Sequence, residues 1–324
     1  MSTPLKLDIA VANYAHTLAV KNGSIPIAGV QANMITVDPQ IAAFRRMVRD
    51  LEFDVCELAP MTYLIAKAYG SPFTALPIFV MRRFHHGGLV CRDDAGIKSP
   101  KDLEGKKVGV RAYTVTTGVW TRGILANEYG VDNSRITWVV DDEEHVTQMP
   151  LPKNVVHAPE GKSLVKLMET GEIQAGFNAR AGIGREGAPK AGWEDKQQVA
   201  APVYNELFPN AEELEAAWFK RTGVYPMHGL IVVKDKLLAE HPWLGKAIYD
   251  AFLEAKNQYV AGLRAGKVTT TDDKKYAGFI PLMGDPLPYG VKENRASIQC
   301  MIDYTHQQGM TPKKFSVEEA FVNL

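Results

Sequence analysis

The sequence predicts a two-lobed α/β protein with a ligand cleft between the lobes. Three observations carry this expectation. Strand-like apolar runs alternate with helical patterns, and the alternation comes in two successive sets. A clean apolar strand and long helical patterns then close the chain, as a return to the first set would require.

The first set reads as a strand over 5–12, an amphipathic helix over 44–51, a short strand over 53–57 and a helix over 61–69, followed by the apolar strand that leads into Arg82. The second set begins with a strand over 89–92 and a turn at 93–96. It continues with a strand over 108–111, a helix over 115–129 and a strand over 136–140. Ser99-Pro100 is a helix start, with a capping hydroxyl and a proline at the first helical position. The stretches 141–159 and 182–202 read as surface loops or a lid, rich in polar residues and proline or in Gly, Ala and Lys. A strand over 229–234 and helices over 242–263 and 295–308 complete the chain. The expected division is a first lobe over 1–92, a second over 93–224 and a return to the first over 225–324. The chain would then cross twice between lobes, and open α/β sheets bind ligands at the carboxyl ends of their strands.

Composition narrows the function. Of 324 residues, 46% are apolar and 23% charged, which suits a globular protein with a sizeable core. Lys plus Arg and Asp plus Glu are equal at 37 each, so no overall field draws the chain to nucleic acid or an anionic membrane. Cys56, Cys91 and Cys300 are an odd, scattered set without CxxC spacing, which argues against a disulfide framework or structural zinc. The N-terminal residues enter a strand pattern without the features of a secretory signal, and no apolar run approaches the ~18 residues of a membrane span. A cytoplasmic protein is expected.

Local charge must therefore recognise the ligand. Arg82, Arg83, His85 and His86 place two guanidiniums and two imidazoles just after a strand, a set suited to an acidic small molecule on which a proton moves. Their ordinary alternative is solvated strand-end arginines and a core histidine. Other strand ends offer Asn13, Tyr14 and His16, then Glu57, then Tyr113 and Thr116, and finally Met227-His228. Thr116 and Thr117 would add hydroxyl donors to a helix N-terminus, although threonine there is usually only a cap. Glu57 is the stronger candidate, because a carboxylate at a buried strand end is costly unless it is paired, with arginine the obvious partner, or used. Asp285 and Tyr289 lie in a rigid Asp-Pro-Leu-Pro-Tyr-Gly turn. The acidic run Asp141-Asp142-Glu143-Glu144-His145 reads as a solvated loop. Dinucleotide, Walker, HExxH and GxSxG signatures are absent. Gly161-Lys162-Ser163 only imitates a Walker loop, since Val156 stands where its first glycine belongs.

Several motifs resemble the 4,5-dihydroxyphthalate decarboxylase family along the whole chain. They are Phe53-Asp54-Val55-Cys56-Glu57, Arg82 with Phe84 and His86, Gly105-Lys106-Lys107-Val108-Gly109-Val110, Tyr113, Thr116, and Trp120-Thr121-Arg122-Gly123-Ile124-Leu125. Arg221-Thr222-Gly223, Met227-His228, Asp285-Pro286-Leu287-Pro288-Tyr289-Gly290-Val291 with Asn294-Arg295, and Tyr304-Thr305-His306-Gln307-Gln308-Gly309 extend the resemblance. The Arg-x-Phe-x-His and Asp-Pro-x-Pro-Tyr-Gly-Val-x-x-Asn-Arg elements are the specific ones. The chain departs from the family pattern with His85 in place of Arg, Arg111 in place of Pro, and Ala179-Arg180-Ala181-Gly182 in place of an Arg-Ala-Pro run. These departures bear on which aromatic acid is taken.

The resemblance implies a fold similar to type II periplasmic solute-binding proteins and a decarboxylation without cofactor or metal. For such a reaction His86 and His228 are expected to share the proton transfers and Glu57 to bind a hydroxyl or orient a histidine, with Asp285 a further catalytic candidate for either Glu57 role. Arg82, His85, Tyr14, Arg111, Tyr113, Thr116, Thr117, Arg180 and Tyr289 would bind substrate. The expected partner is a small aromatic acid, with no nucleic acid and no membrane, and the expected assembly is a homo-oligomer. Two other readings stand beside it. One is a solute-binding protein or sensor without chemistry; the other is a metal-dependent decarboxylase with His85, His86, His228 and Asp285 as ligands.

Overall fold

The computed structural model describes residues 3–184 and 204–324, and most of the expected insert at 182–202 lies outside the described residues. The chain divides into two compact units, one of Met1–Arg83, Met227–Ile302 and Phe315–Leu324, the other of Phe84–Pro226 and Asp303–Lys314. The expected boundaries shift accordingly. The strand at 89–91 hydrogen-bonds within the second unit, and residues 303–314 also belong there, so the chain passes between units at four points in place of two.

The described strands are β1 Leu5–Ala10, β2 Val30–Ile35, β3 Val55–Leu58, β4 Phe73–Arg82, β5 Leu89–Cys91, β6 Lys107–Gly109, β7 Thr137–Val140, β8 Val155–His157, β9 Ala175–Phe177, β10 Asn205–Glu206 and β11 Met227–Lys234. The first unit holds a five-stranded sheet in the order β2-β1-β3-β11-β4. Strand β1 is parallel to β2 and β3, whereas β11 runs antiparallel to both β3 and β4. Strand β3 is buried along its whole length, as a central strand covered on both faces must be. Strand β2 has no such signature. It is an edge strand whose Gln31, Ala32 and Asn33 are exposed, which is why its pattern was illegible in the sequence.

The second unit holds a six-stranded sheet in the order β10-β5-β9-β6-β7-β8, parallel from β9 through β6 and β7 to β8. The helix Thr116–Tyr129 is buried along Thr116–Leu125 and ends at Gly130 in the left-handed conformation. At Gly123 an added Cβ would run into the ring of Tyr304, so glycine permits the close approach. The false Walker serine, Ser163, caps the helix Leu164–Glu169 by accepting from the Lys166 N–H. Among the described residues no helix is long and apolar enough to cross a membrane.

Gly123→Ala should therefore overpack this contact and cost about 1–3 kcal/mol. Thermal melting of the purified variant checks this, and an unchanged Tm would contradict the close approach.

Candidate active site

In the first unit, strand pairing brings the ends of β1, β3 and β4 and the start of β11 to one end of the sheet. Tyr14 follows β1, Glu57 stands next to last in β3, Arg82 ends β4, and His228 is second in β11. Sheet topology alone thus gathers four candidates that are far apart in sequence.

Glu57 is 2% exposed. Its Oε2 accepts from the Ala12 N–H at 3.0 Å and its Oε1 from the Tyr14 hydroxyl at 2.7 Å. Among the described residues it is held by an amide and a phenol, not by the arginine expected as an alternative. Room for the carboxylate depends on Gly229, where a Cβ would lie 2.7 Å from Oε1. Burial pushes the Glu57 carboxyl up to about 7, against the two hydrogen bonds and the Lys21 ammonium, which favour the ionised form. Burial and the Glu57 carboxylate push the Tyr14 phenol well above its ordinary value, so it remains a donor. His16 stacks on Tyr14 at 5.4 Å between ring centroids, with its Nε2 2.9 Å from the Val80 carbonyl. Burial lowers His16 to about 4.

Arg82 is wholly buried. Its guanidinium donates to Asn294 Oδ1 and, at 3.2 Å, to the Pro288 carbonyl, and it lies over the Phe79 ring. Asn294 in turn donates to the carbonyls of Pro288 and Gly290 at 2.9 and 2.7 Å. The two specific sequence elements are thus one hydrogen-bonded assembly. At its start Asp285 accepts from Lys256 Nζ at 2.7 Å and from the Leu287 N–H at 2.9 Å. Tyr289 is 3% exposed, its hydroxyl has no hydrogen-bond partner among the described residues, and Lys256 Nζ lies 5.6 Å from its ring centroid. His228 is half-buried; desolvation and then the charges of Arg83 and Lys275 hold it well below the usual histidine range.

The second unit has its own polar centre, at the carboxyl ends of β6 and β7. Here the acidic run corrects the solvated-loop expectation, since Asp141, Asp142, Glu144 and His145 are all buried. The carboxylates are buried because they meet donors. Asp142 accepts from Arg111 Nη1 at 2.9 Å, and Glu144 accepts from the N–H groups of Tyr113 and Thr114 at 2.6 and 3.1 Å and from the Thr114 hydroxyl. Arg111, expected to bind substrate, is thus committed to a buried ion pair. Arg122 fixes Tyr113 by donating to its carbonyl and stacking 3.9 Å above its ring. Thr116 and Thr117 are buried at the helix start, and Thr116 Oγ1 lacks a partner among the described residues.

His85 and His86 are adjacent in sequence but occupy different aromatic surroundings. His85 stacks on Trp120, while His86 packs against Phe208 and Trp218, with Nδ1 4.0 Å from Glu215 Oε1. Burial lowers His86 to about 4. Arg180 lies in the single turn Ala179–Ala181, and only its backbone is described. Among the described residues no three His, Cys, Asp or Glu side chains are grouped to hold a metal ion.

Sequence reasoning passed over Lys256, Asp142, Glu144 and Gly229. Two signals were present. Lys256 is a lone cation on the buried stripe of the helix Leu244–Arg264, and Arg111 and Asp142 each stand two residues beyond the ends of neighbouring parallel strands.

The Glu57 environment has a consequence for stability. The folded protein keeps this proton up to about pH 7, whereas the unfolded chain releases it near 4.5, so stability falls as pH rises through that window. Relative to Glu57→Gln, the parent protein should lose on the order of 3 kcal/mol between pH 4.5 and 8 in urea denaturation. A pH-independent difference would contradict the assignment.

Known proteins give this geometry a family. A family model described as an ABC transporter, phosphonate, periplasmic substrate-binding protein matches residues 28–281. A protein of Comamonas testosteroni named 4,5-dihydroxyphthalate decarboxylase is 33% identical over 330 residues, covering 98% of this chain and 96% of its own. A Pseudomonas putida protein of the same name is 35% identical over 214 residues, covering 63% and 83%. Among solved structures, the alkanesulfonate-binding protein SsuA of Xanthomonas axonopodis pv. citri aligns with a TM-score of 0.51 at 11% identity, covering 99% of both chains. A variant of the desulfurization enzyme DSZB in complex with biphenyl-2-sulfinic acid aligns with a TM-score of 0.53 at 12% identity, covering 98% and 96%. At such identities these two structures establish the fold alone. The fold is that of periplasmic substrate-binding proteins, and the full-length sequence relationship shows that the chain belongs to the 4,5-dihydroxyphthalate decarboxylase family of carboxy-lyases.

Proposed function

We propose that this chain converts 4,5-dihydroxyphthalate to protocatechuate and CO2 without a cofactor, as a cytoplasmic, homo-oligomeric enzyme. The observation that carries the catalytic reading is Glu57, a buried carboxyl whose proton affinity burial sets near neutrality, where general acid-base groups work best. In the substrate each carboxylate is para to a hydroxyl. Glu57, as the carboxylate, takes the proton of that phenol, and the ring carbon bearing the carboxylate becomes nucleophilic. Protonation of that carbon forms a dienone; its C–CO2 bond then breaks, and the electron pair returns through the ring to oxygen. The substrate is its own electron sink.

His228 and His86 are proposed to share the proton transfers. Both are held neutral in the free protein, and a dianionic substrate nearby would favour their protonated form. Arg82 is proposed to act on a carboxylate through its charge, since its guanidinium is already engaged by Asn294 and Pro288. Asp285 is proposed to fix its loop through Lys256, and Tyr14 to orient Glu57. In the second unit, Arg111, Tyr113, Thr116, Thr117, Arg180 and His85 are proposed to shape acid recognition. A second reading, solute binding without chemistry, draws on the family model named for transporter binding proteins.

CO2 release and protocatechuate formation from 4,5-dihydroxyphthalate, measured in chelator beside a binding titration, separate these readings. Turnover is expected, with kcat/KM falling below about pH 7 as Glu57 gains its proton. Glu57→Gln, His86→Ala and His228→Ala should each lower kcat by about 100-fold. Tight binding without turnover would support the solute-binding reading, loss of turnover only in chelator would support a metal-dependent enzyme, and full activity in both histidine variants would remove the imidazoles from the proton steps.

A further inference from the structure

The amide that holds Glu57 is itself held from its other side. Glu57 Oε2 accepts from the Ala12 N–H at 3.0 Å. That N–H belongs to the peptide unit whose carbonyl is Val11, and the Val11 carbonyl accepts from Lys21 Nζ. An ammonium at one end of a planar amide and a carboxylate at the other polarise it in the same sense, so each hydrogen bond strengthens the other. The intervening chain is folded to make this reach. The four-residue helix Leu18–Lys21 is preceded by Thr17, which is wholly buried and accepts from the Tyr14 N–H at 3.3 Å. The Lys21 N–H donates to the Thr17 carbonyl at 3.1 Å, and the lysine returns to the chain just past the end of β1.

We infer that Lys21 is a positioning residue for the proposed base: through the Val11–Ala12 amide it favours the ionised Glu57 that accepts the phenol proton. This rests on the decarboxylase reading above and adds what controls its base. No proton or other atom passes along the amide. The other titratable groups within the field of Glu57 are neutral near pH 7. Burial and the Glu57 charge keep the Cys56 thiol and the Tyr14 phenol protonated, burial does the same for the Tyr289 phenol, and burial holds His16, stacked on Tyr14, at about 4. From β11 the facing residue is Gly229, which brings no charge. Among the described residues the cation that acts on the carboxyl is Lys21.

Lys21→Met removes both charge and donor, and Lys21→Gln keeps a neutral donor and carries the test if Lys21→Met does not fold. In NMR titrations, which need no substrate, the Glu57 midpoint should rise by about one pH unit in Lys21→Met and by less in Lys21→Gln. The Ala12 amide proton, which reports the hydrogen bond itself, should move upfield in Lys21→Met at pH 9. With 4,5-dihydroxyphthalate, kcat/KM of Lys21→Met should fall about tenfold at pH 6 and stay within about twofold of the parent at pH 9. An unmoved midpoint would overturn the inference, and an equal loss of activity at both pH values would then mean that Lys21 only supports its loop. A raised midpoint with an unmoved Ala12 resonance would mean that the lysine acts across space and not through the amide, and would overturn it as well. A parent that releases no CO2, with midpoint and resonance moving as expected in the variants, would sink the decarboxylase reading and support the control of Glu57 by Lys21.

Discussion

Glu57 lies in a fully buried strand, and the ionised form of a carboxyl there must be paid for by its neighbours. The chain answers with three features from two segments far from Glu57 in sequence. The Ala12 N–H and the Tyr14 hydroxyl give the two oxygens donors, and Gly229 on the neighbouring strand leaves the space that a side chain would fill. The compensation is partial, since among the described residues the carboxyl is hydrogen-bonded by an amide and a phenol and Lys21 contributes its charge without bonding to it, and its proton affinity rises to the range in which protons are exchanged near neutral pH. The order of strands in the first sheet is what makes this possible, because it places the end of β1 on one side of Glu57 and the start of β11 on the other.

The second unit solves the same electrostatic problem differently. Two of its buried carboxylates are matched by donors: Asp142 by Arg111, and Glu144 by two backbone amides and a hydroxyl at the approach to the helix Thr116–Tyr129. Burying such a pair is costly, and removing one partner costs more, so these residues fix the loop geometry around Tyr113. Arg122 completes the arrangement from within the helix. The contrast between matched charges in the second unit and an incompletely matched carboxyl in the first is the reason Glu57 is proposed as the base.

Much of the architecture was legible because burial leaves periodic traces. Strands β1, β3, β6, β7 and β11 and the helices around them follow apolar patterns that the sequence displays, whereas the edge strand β2 is exposed and the short β8 and β10 carry too few residues for a pattern. Glu57 and Tyr14 stood out at strand ends, yet their hydrogen bond spans 43 positions and depends on strand order, which local spacing does not encode. The run from Asp141 to His145 misled for the same reason. A contiguous acidic stretch resembles a solvated loop until its partner, Arg111, is known to leave the adjacent strand at the matching height. Tyr289 was found by motif, but that its hydroxyl lacks a partner is a property of packing alone.

The central claim is that burial, incompletely offset, raises the proton affinity of Glu57. Its carboxyl can be followed directly by carbon-detected NMR of protein labelled at glutamate side chains, with Glu57→Gln assigning the resonance. Titration with a midpoint near 7 is the expected result. A midpoint near the ordinary glutamate value of 4.5 would mean that the carboxyl is solvated or paired with a charge in solution, and it would contradict the account.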